Sequence, residues 1–212
     1  MAFDKTRFGG VVAPIVNPCG EDDSLDRGAL EANLTRLLAT DVAGLYINGG
    51  TGDAANLTQD ERLETAALLV PRLLAAGKLA IVHVGQTNQR QAVELARQAA
   101  ALGAHAVASI PPKKPWPQIV EYYKALAAAG APVIVYYIPG VTGMTAGMPE
   151  LRMLLDIPGV AGIKMSDWNI FLLRSVVLEY PEKVVYSGFD EMLVPGLLYG
   201  ADGCIGTWAN LL

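Results

Sequence analysis

Val160-Ala161-Gly162-Ile163-Lys164-Met165-Ser166-Asp167 is a short apolar run that carries one lysine and ends in two polar residues. A helical pattern over 167–179 follows at once. An apolar run without alternation reads as a strand buried on both faces, as in a parallel sheet covered by helices. The same unit recurs on either side. Strands are predicted near 10–16, 44–48, 79–84, 106–110, 133–138, 160–165, 184–188 and 203–206, and each of the first seven leads into a helical pattern. Strand alternating with helix is the signature of right-handed βαβ units. The expectation is an α/β protein, a (β/α)8 TIM barrel, with residues 1–212 forming one domain. Such a barrel takes about 250 residues and at least about 200. With eight strands and seven helices, the chain has room for the closed sheet but not for the last helix.

The helices have individual support. Leu30, Leu34 and Leu37 keep the three-four spacing of one buried face. Thr58-Gln59-Asp60-Glu61 is a capping box that opens the second helix. Leu63, Ala67, Val70 and Leu74 are its expected stripe, with Pro71 expected to kink it. Asn88 is the expected cap of a helix over 88–102 that stops at Gly103. Further helices are predicted over 117–129, 148–155, 167–179 and 190–199.

Composition narrows the function classes. Hydrophobic residues make up 52% of the chain, enough for a sizeable core, and charged residues only 17%, which fits a large core or a subunit interface. The net charge is −5 and no Lys/Arg cluster exceeds Lys113-Lys114, which argues against nucleic-acid binding. Cys19 and Cys204 offer neither a disulfide framework nor a metal spacing. Met1-Ala2-Phe3-Asp4-Lys5 lacks an apolar signal core, and no run approaches the ~20 residues of a membrane span. A reducing cytoplasm is the expected location.

Catalytic groups of such barrels lie at the C-terminal ends of strands. Lys164 must point into the barrel or lie out of register. Burial favours a neutral amine, which can attack a ketone and form an iminium. The bland alternatives are a lysine paired with an acid or one reaching solvent. Tyr136 closes the fifth strand, either as a proton relay or as a core tyrosine; Tyr137 should face the other way. Gly49-Gly50-Thr51-Gly52 is either a nest for an anion or a turn that needs positive φ. Asp190 and Glu191 are expected to open the seventh helix, as helix-terminal charges or as partners of substrate hydroxyls. His83 and His105 lack ligand spacing; both read as structural, and no metal site is expected.

Together these strand ends resemble the N-acetylneuraminate lyase / dihydrodipicolinate synthase family of class I aldolases. The likeness runs in order through Gly-Gly-Thr-Gly-Asp at 49–53, Tyr-Tyr-Ile-Pro-Gly at 136–140, Gly-Ile-Lys at 162–164, Gly-Phe-Asp-Glu at 188–191 and Gly-Ala-Asp-Gly-Cys-Ile-Gly-Thr at 200–207. The resemblance implies that Lys164 forms a Schiff base with pyruvate and that Tyr136 shuttles protons. It implies that Gly50 and Thr51 hold the substrate carboxylate, and that Ser166, Gly188, Asp190, Glu191 and Thr207 contact the rest of a hydroxylated substrate. It also implies no cofactor beyond the covalent lysine, a small-molecule 2-oxo acid as partner, and a homo-oligomer, tetrameric in the family.

The sequence departs from the family pattern at several points. Gly50 stands where the family's turn carries a first hydroxyl. The 111–117 segment lacks the tyrosine a neighbouring subunit would lend. Val141 replaces the arginine with which dihydrodipicolinate synthases grip a second carboxylate. Relatives continue with an eighth helix and a C-terminal helical segment, so the flank between strands eight and one is expected to be bare. Three activities stay open: a pyruvate-type lyase or aldolase on hydroxylated sugar acids; a dehydratase, hydratase-aldolase or dihydrodipicolinate synthase-like enzyme; and a catalytically impaired 2-oxo-acid-binding scaffold.

Overall fold

The structure, a computed structural model, describes residues 3–211. Met1, Ala2 and Leu212, which belong to the expected domain, lie outside the described residues. Eight strands run in parallel and in chain order: β1 Gly10–Pro14, β2 Gly44–Ile47, β3 Leu79–His83, β4 Ala106–Ser109, β5 Val133–Tyr137, β6 Val160–Met165, β7 Val184–Ser187 and β8 Gly203–Cys204. β8 pairs with β1 through Gly10↔Gly203 and Val11↔Cys204 and closes the barrel.

Helices α1 Arg27–Leu38, α2 Gln59–Ala75, α3 Gln89–Ala101 and α4 Trp116–Ala127 follow the first four strands. A single turn, α5 Pro139–Thr142, follows β5 and was not anticipated; α6 Met148–Leu155, α7 Ile170–Glu179 and α8 Leu193–Leu198 complete the ring. None of the described helices is long and apolar enough to cross a membrane.

Side-chain alternation along the strands makes two cores. Val12, Tyr46, Ile81, Ile134 and Tyr186 fill the barrel, and Phe8 closes its lower end. Ala13, Leu45, Val82, Val135 and Ile163 face outward into the larger layer beneath the helices.

The local signals hold at the caps. Thr58 and Glu61 form the reciprocal capping box, with the Glu61 N–H donating to Thr58 Oγ1 at 3.2 Å and the Thr58 N–H donating to Glu61 Oε2 at 2.8 Å. Asn88 Oδ1 accepts from the Arg90 N–H at 3.0 Å, and Gly103 takes φ +86 just past α3. The α2 stripe differs from expectation. Ala66, Leu69, Val70 and Leu73 are buried while Ala67 is exposed and Leu74 more than a third so, because the helix is rolled to bury Arg62 and Thr65 over the strand ends. α2 runs unbroken through Pro71.

The 190–199 segment is a 3-10 turn at Asp190–Met192 before α8, so Asp190 and Glu191 do not sit in the first turn of that α-helix. β8 is shorter than expected because the chain leaves the sheet into a further 3-10 turn, Thr207–Leu211. That turn lays Ala209 into the outer core, and Asn210 Nδ2 donates to the Pro14 carbonyl at 2.9 Å. The β8–β1 flank is therefore not bare: Ala13 and Cys204 are buried. Large apolar side chains on α7, α8 and the last turn are exposed.

Candidate active site

Lys164 lies inside the barrel, level with Tyr136 on β5 and Tyr186 on β7. It is 5% exposed, and no ion pair among the described residues includes it. Its Nζ sits 4.2 Å from the centre of the Tyr136 ring and 4.8 Å from that of Tyr46. Burial pushes the amine down to about 7, against the opposing pull of Asp190 and Cys204. Desolvation disfavours the ammonium and no adjacent carboxylate cancels it. Neither bland reading of Lys164 describes this geometry: it is not ion-paired and it does not reach solvent.

Tyr136 is turned inward and Tyr137 outward, as strand alternation requires. The Tyr136 phenol is raised by burial, with the Ser166 hydroxyl, 3.3 Å away, opposing the shift. Tyr137 joins the outer core, where its hydroxyl accepts from the Ala146 N–H at 3.0 Å.

The 49–52 turn corrects one expectation. None of its glycines has positive φ; the left-handed residues are Asn48 and Asp53 on either side. Two of the glycines are there for close approach. A Cβ on Gly49 would meet the Tyr46 ring at 2.7 Å, and one on Gly52 would meet the Ile15 carbonyl at 2.7 Å. A Cβ on Gly50 would meet nothing within 4 Å. Gly49 accepts from the Gly52 and Ala54 N–H groups, and Gly50 from that of Asp53. The N–H groups of Gly50 and Thr51 make no bond among the described residues, which leaves two free donors at the mouth.

The β6, β7 and β8 ends complete the mouth. A side chain at Gly188 would overlap Ser166 Oγ and stand 3.1 Å from Lys164 Cε, so Gly188 is the bare wall beside the lysine. Asp190 Oδ1 and Oδ2 both accept from the Trp208 N–H at 3.3 Å, and the carboxylate lies against Gly206. Thr51 Oγ1 and Thr207 Oγ1 are 2.8 Å apart, which ties the β2 turn to the β8 end. Glu191 is exposed and makes no bond among the described residues. Every residue that the resemblance assigned to the site thus lies at the C-terminal end of the strands, with Lys164, Tyr136, Ser166 and Gly188 in direct neighbourhood.

Tyr46 and Arg62 carry no motif in the sequence, and His83, expected to be structural, packs with them. His83 Nδ1 donates to the Asn48 carbonyl at 3.0 Å and its Nε2 accepts from the Ile110 N–H at 3.3 Å, so the ring is neutral. Burial, with Arg62 and Lys164 nearby, takes it down to about 3. Arg62 is buried and donates to the His83 and Gly85 carbonyls at 2.8 and 3.1 Å. Strand alternation from Gly44 through Asn48 already places Tyr46 inward, by the argument used for Tyr136. His105 accepts from the Ala80 N–H at 3.1 Å. Among the described residues no three His, Cys, Asp or Glu side chains gather to hold a metal.

Comparison with known proteins agrees with this geometry. The model of the Dihydrodipicolinate synthetase family matches residues 7–212. N-acetylneuraminate lyase of Rhizobium meliloti is 34% identical over 209 residues, covering 96% of this chain and 69% of the relative. The Clostridium difficile protein CdNal, solved in complex with mannosamine, superposes with a TM-score of 0.92 at 26% identity, over 96% of this chain and 71% of that one. N-acetylneuraminate lyase of Fusobacterium nucleatum, solved with pyruvate, gives 0.90 at 27% identity, over 97% and 70%. The chain belongs to the dihydrodipicolinate synthetase family and is a carbon–carbon lyase of the Schiff-base-forming, pyruvate-dependent kind.

Proposed function

We propose that this lyase cleaves a hydroxylated 2-oxo acid of the N-acetylneuraminate type to pyruvate and an aldehyde, with Lys164 as its nucleophile. The observation that carries the reading is the unpaired, desolvated Lys164 amine facing Tyr136. The neutral amine adds to the C2 carbonyl. Tyr136 protonates the departing hydroxyl, water leaves, and an iminium and a phenolate remain. The phenolate takes the C4 hydroxyl proton as the C3–C4 bond breaks, and the electron pair moves into an enamine. Tyr136 then returns that proton to C3, and water releases pyruvate.

The free amides of Gly50 and Thr51, with the Thr51 hydroxyl, suit the substrate carboxylate. Ser166 supports the Tyr136 hydroxyl. Asp190, Glu191 and Thr207 would meet the hydroxylated part, and Gly188 leaves room for it. No external cofactor is needed, because the iminium is itself the electron sink. The whole chain would act as a single barrel domain, in the cytoplasm and as a homo-oligomer. Val141 is an exposed aliphatic side chain and cannot grip a carboxylate in bidentate fashion, so aspartate semialdehyde should be a poor co-substrate.

Borohydride with pyruvate, followed by peptide mass spectrometry, tests the nucleophile. One reduced pyruvyl group on Lys164 is the expected result; a label on Lys113, Lys114 or Lys183 instead would refute it.

A further inference from the structure

The Schiff-base chemistry turns a neutral amine into an iminium cation at one buried atom until the enamine forms, and no ion pair among the described residues gives that atom a carboxylate partner. Two aromatic faces surround it. Tyr136 and Tyr46 stand at 86° to one another with centroids 6.3 Å apart, and Lys164 Nζ lies within 4.8 Å of both.

Tyr136 has Ser166 on its hydroxyl. The Tyr46 hydroxyl is fully buried and has no hydrogen-bond partner among the described residues. Burial raises that phenol well above its ordinary range, and no hydrogen bond among the described residues leads from it to Lys164. What Tyr46 presents to Lys164 is its ring. Gly49 lies close against the ring: any Cβ there would strike its Cδ1 and Cε1 at 2.7 Å. A ring face attracts a cation through its quadrupole, and most strongly where water is absent.

We propose that Tyr46 is the residue that stabilises the Lys164 iminium, through its ring face and not its hydroxyl. The proposal rests on Lys164 being the Schiff-base lysine. It assigns the Gly49 close approach a purpose: the β2 turn that offers free amides to the carboxylate also holds the aromatic ring against the iminium nitrogen.

The test is equilibrium trapping of pyruvate with borohydride, at about pH 8.5 so that the amine is neutral before attack. Full-length wild type and Tyr46→Phe, Tyr46→Leu and fluorinated-phenylalanine variants at 46 are compared. Wild type should trap at Lys164; if it does not, the Schiff-base reading itself fails, which is a separate result. Given trapping, Tyr46→Phe should need the same pyruvate concentration as wild type within about twofold. Each added fluorine drains the ring face without changing its packing much, and should raise the half-maximal concentration stepwise. Tyr46→Leu should raise it roughly thirtyfold, the equivalent of ~2 kcal/mol at ~1.4 kcal/mol per tenfold.

Titration of Lys164 supplies a readout that simple packing would not move in the same direction. Loss of a cation-stabilising face lowers the amine further; entry of water into a vacated space raises it. A flat fluorine series, a Tyr46→Phe as impaired as Tyr46→Leu, or a Lys164 that titrates higher in Tyr46→Leu would each overturn the proposal.

Discussion

Lys164 is held at a cost to the fold, and that cost is measurable. A lysine whose folded value is about 7, below its unfolded ~10.4, binds its proton less readily when folded. Between those values the unfolded chain holds more protons, so stability should rise with pH from about 7 towards about 10. Lys164→Met removes this dependence. We expect it to melt higher than wild type at neutral pH and to lose pyruvate trapping entirely; calorimetry across that pH range checks the first point. The rate of trapping in wild type should rise through about pH 7 as the amine deprotonates, then level off. Tyr136→Phe should still trap pyruvate but turn over more slowly by ~10²–10⁴, the usual worth of general acid–base catalysis. Unchanged turnover in that variant would remove Tyr136 from the proton path.

The β2 turn is the element where neighbouring glycines have different reasons. Gly50 has open space above it, so Gly50→Ser should melt within a degree or two of wild type. Gly49→Ala drives a methyl into the Tyr46 ring and should destabilise by ~1–3 kcal/mol, the typical cost of overpacking. If the two substitutions cost the same in denaturant unfolding, the close approach is not what the glycine serves. At the start of α2, Thr58→Ala removes the acceptor of the Glu61 N–H and should cost ~0.5–2 kcal/mol, a loss typical of a helix cap.

At the scale of the whole molecule, the outer surface of the last elements is unusually apolar. Phe171 on α7, Leu198 on α8 and Trp208 in the last turn are 75%, 80% and 70% exposed, with Val194 and Leu211 beside them in sequence. Exposed apolar side chains of this size favour association. We expect the 212-residue chain to self-associate with concentration, and the double variant Phe171→Ser, Leu198→Ser to reduce it without loss of pyruvate trapping. Light scattering over a concentration series decides it; a monodisperse wild type would show that these side chains do not drive contact. The last turn packs on β1, so amide exchange there should be slow, not the first to occur.

The order of elements, the barrel class and the position of Lys164 on a buried strand were legible in the sequence, because short apolar runs, the 3.6 period and capping residues are local properties. Thr58 with Glu61, Asn88 and Gly103 are read within a few residues of themselves. The inward turn of Tyr136 and the outward turn of Tyr137 follow from strand alternation, also a local rule. What only the tertiary structure decided is the chemistry at Nζ. Burial lowers the amine because side chains from β2 and β5 converge on it and exclude water, and desolvation belongs to that assembly, not to any segment. The roll of α2 that buries Arg62, the unpartnered hydroxyl of Tyr46 and the Gly49 contact are likewise packing outcomes. So is the last turn over β1, where a hydrogen bond joins Asn210 to Pro14 across most of the chain: such contacts leave no periodic trace between the residues they unite.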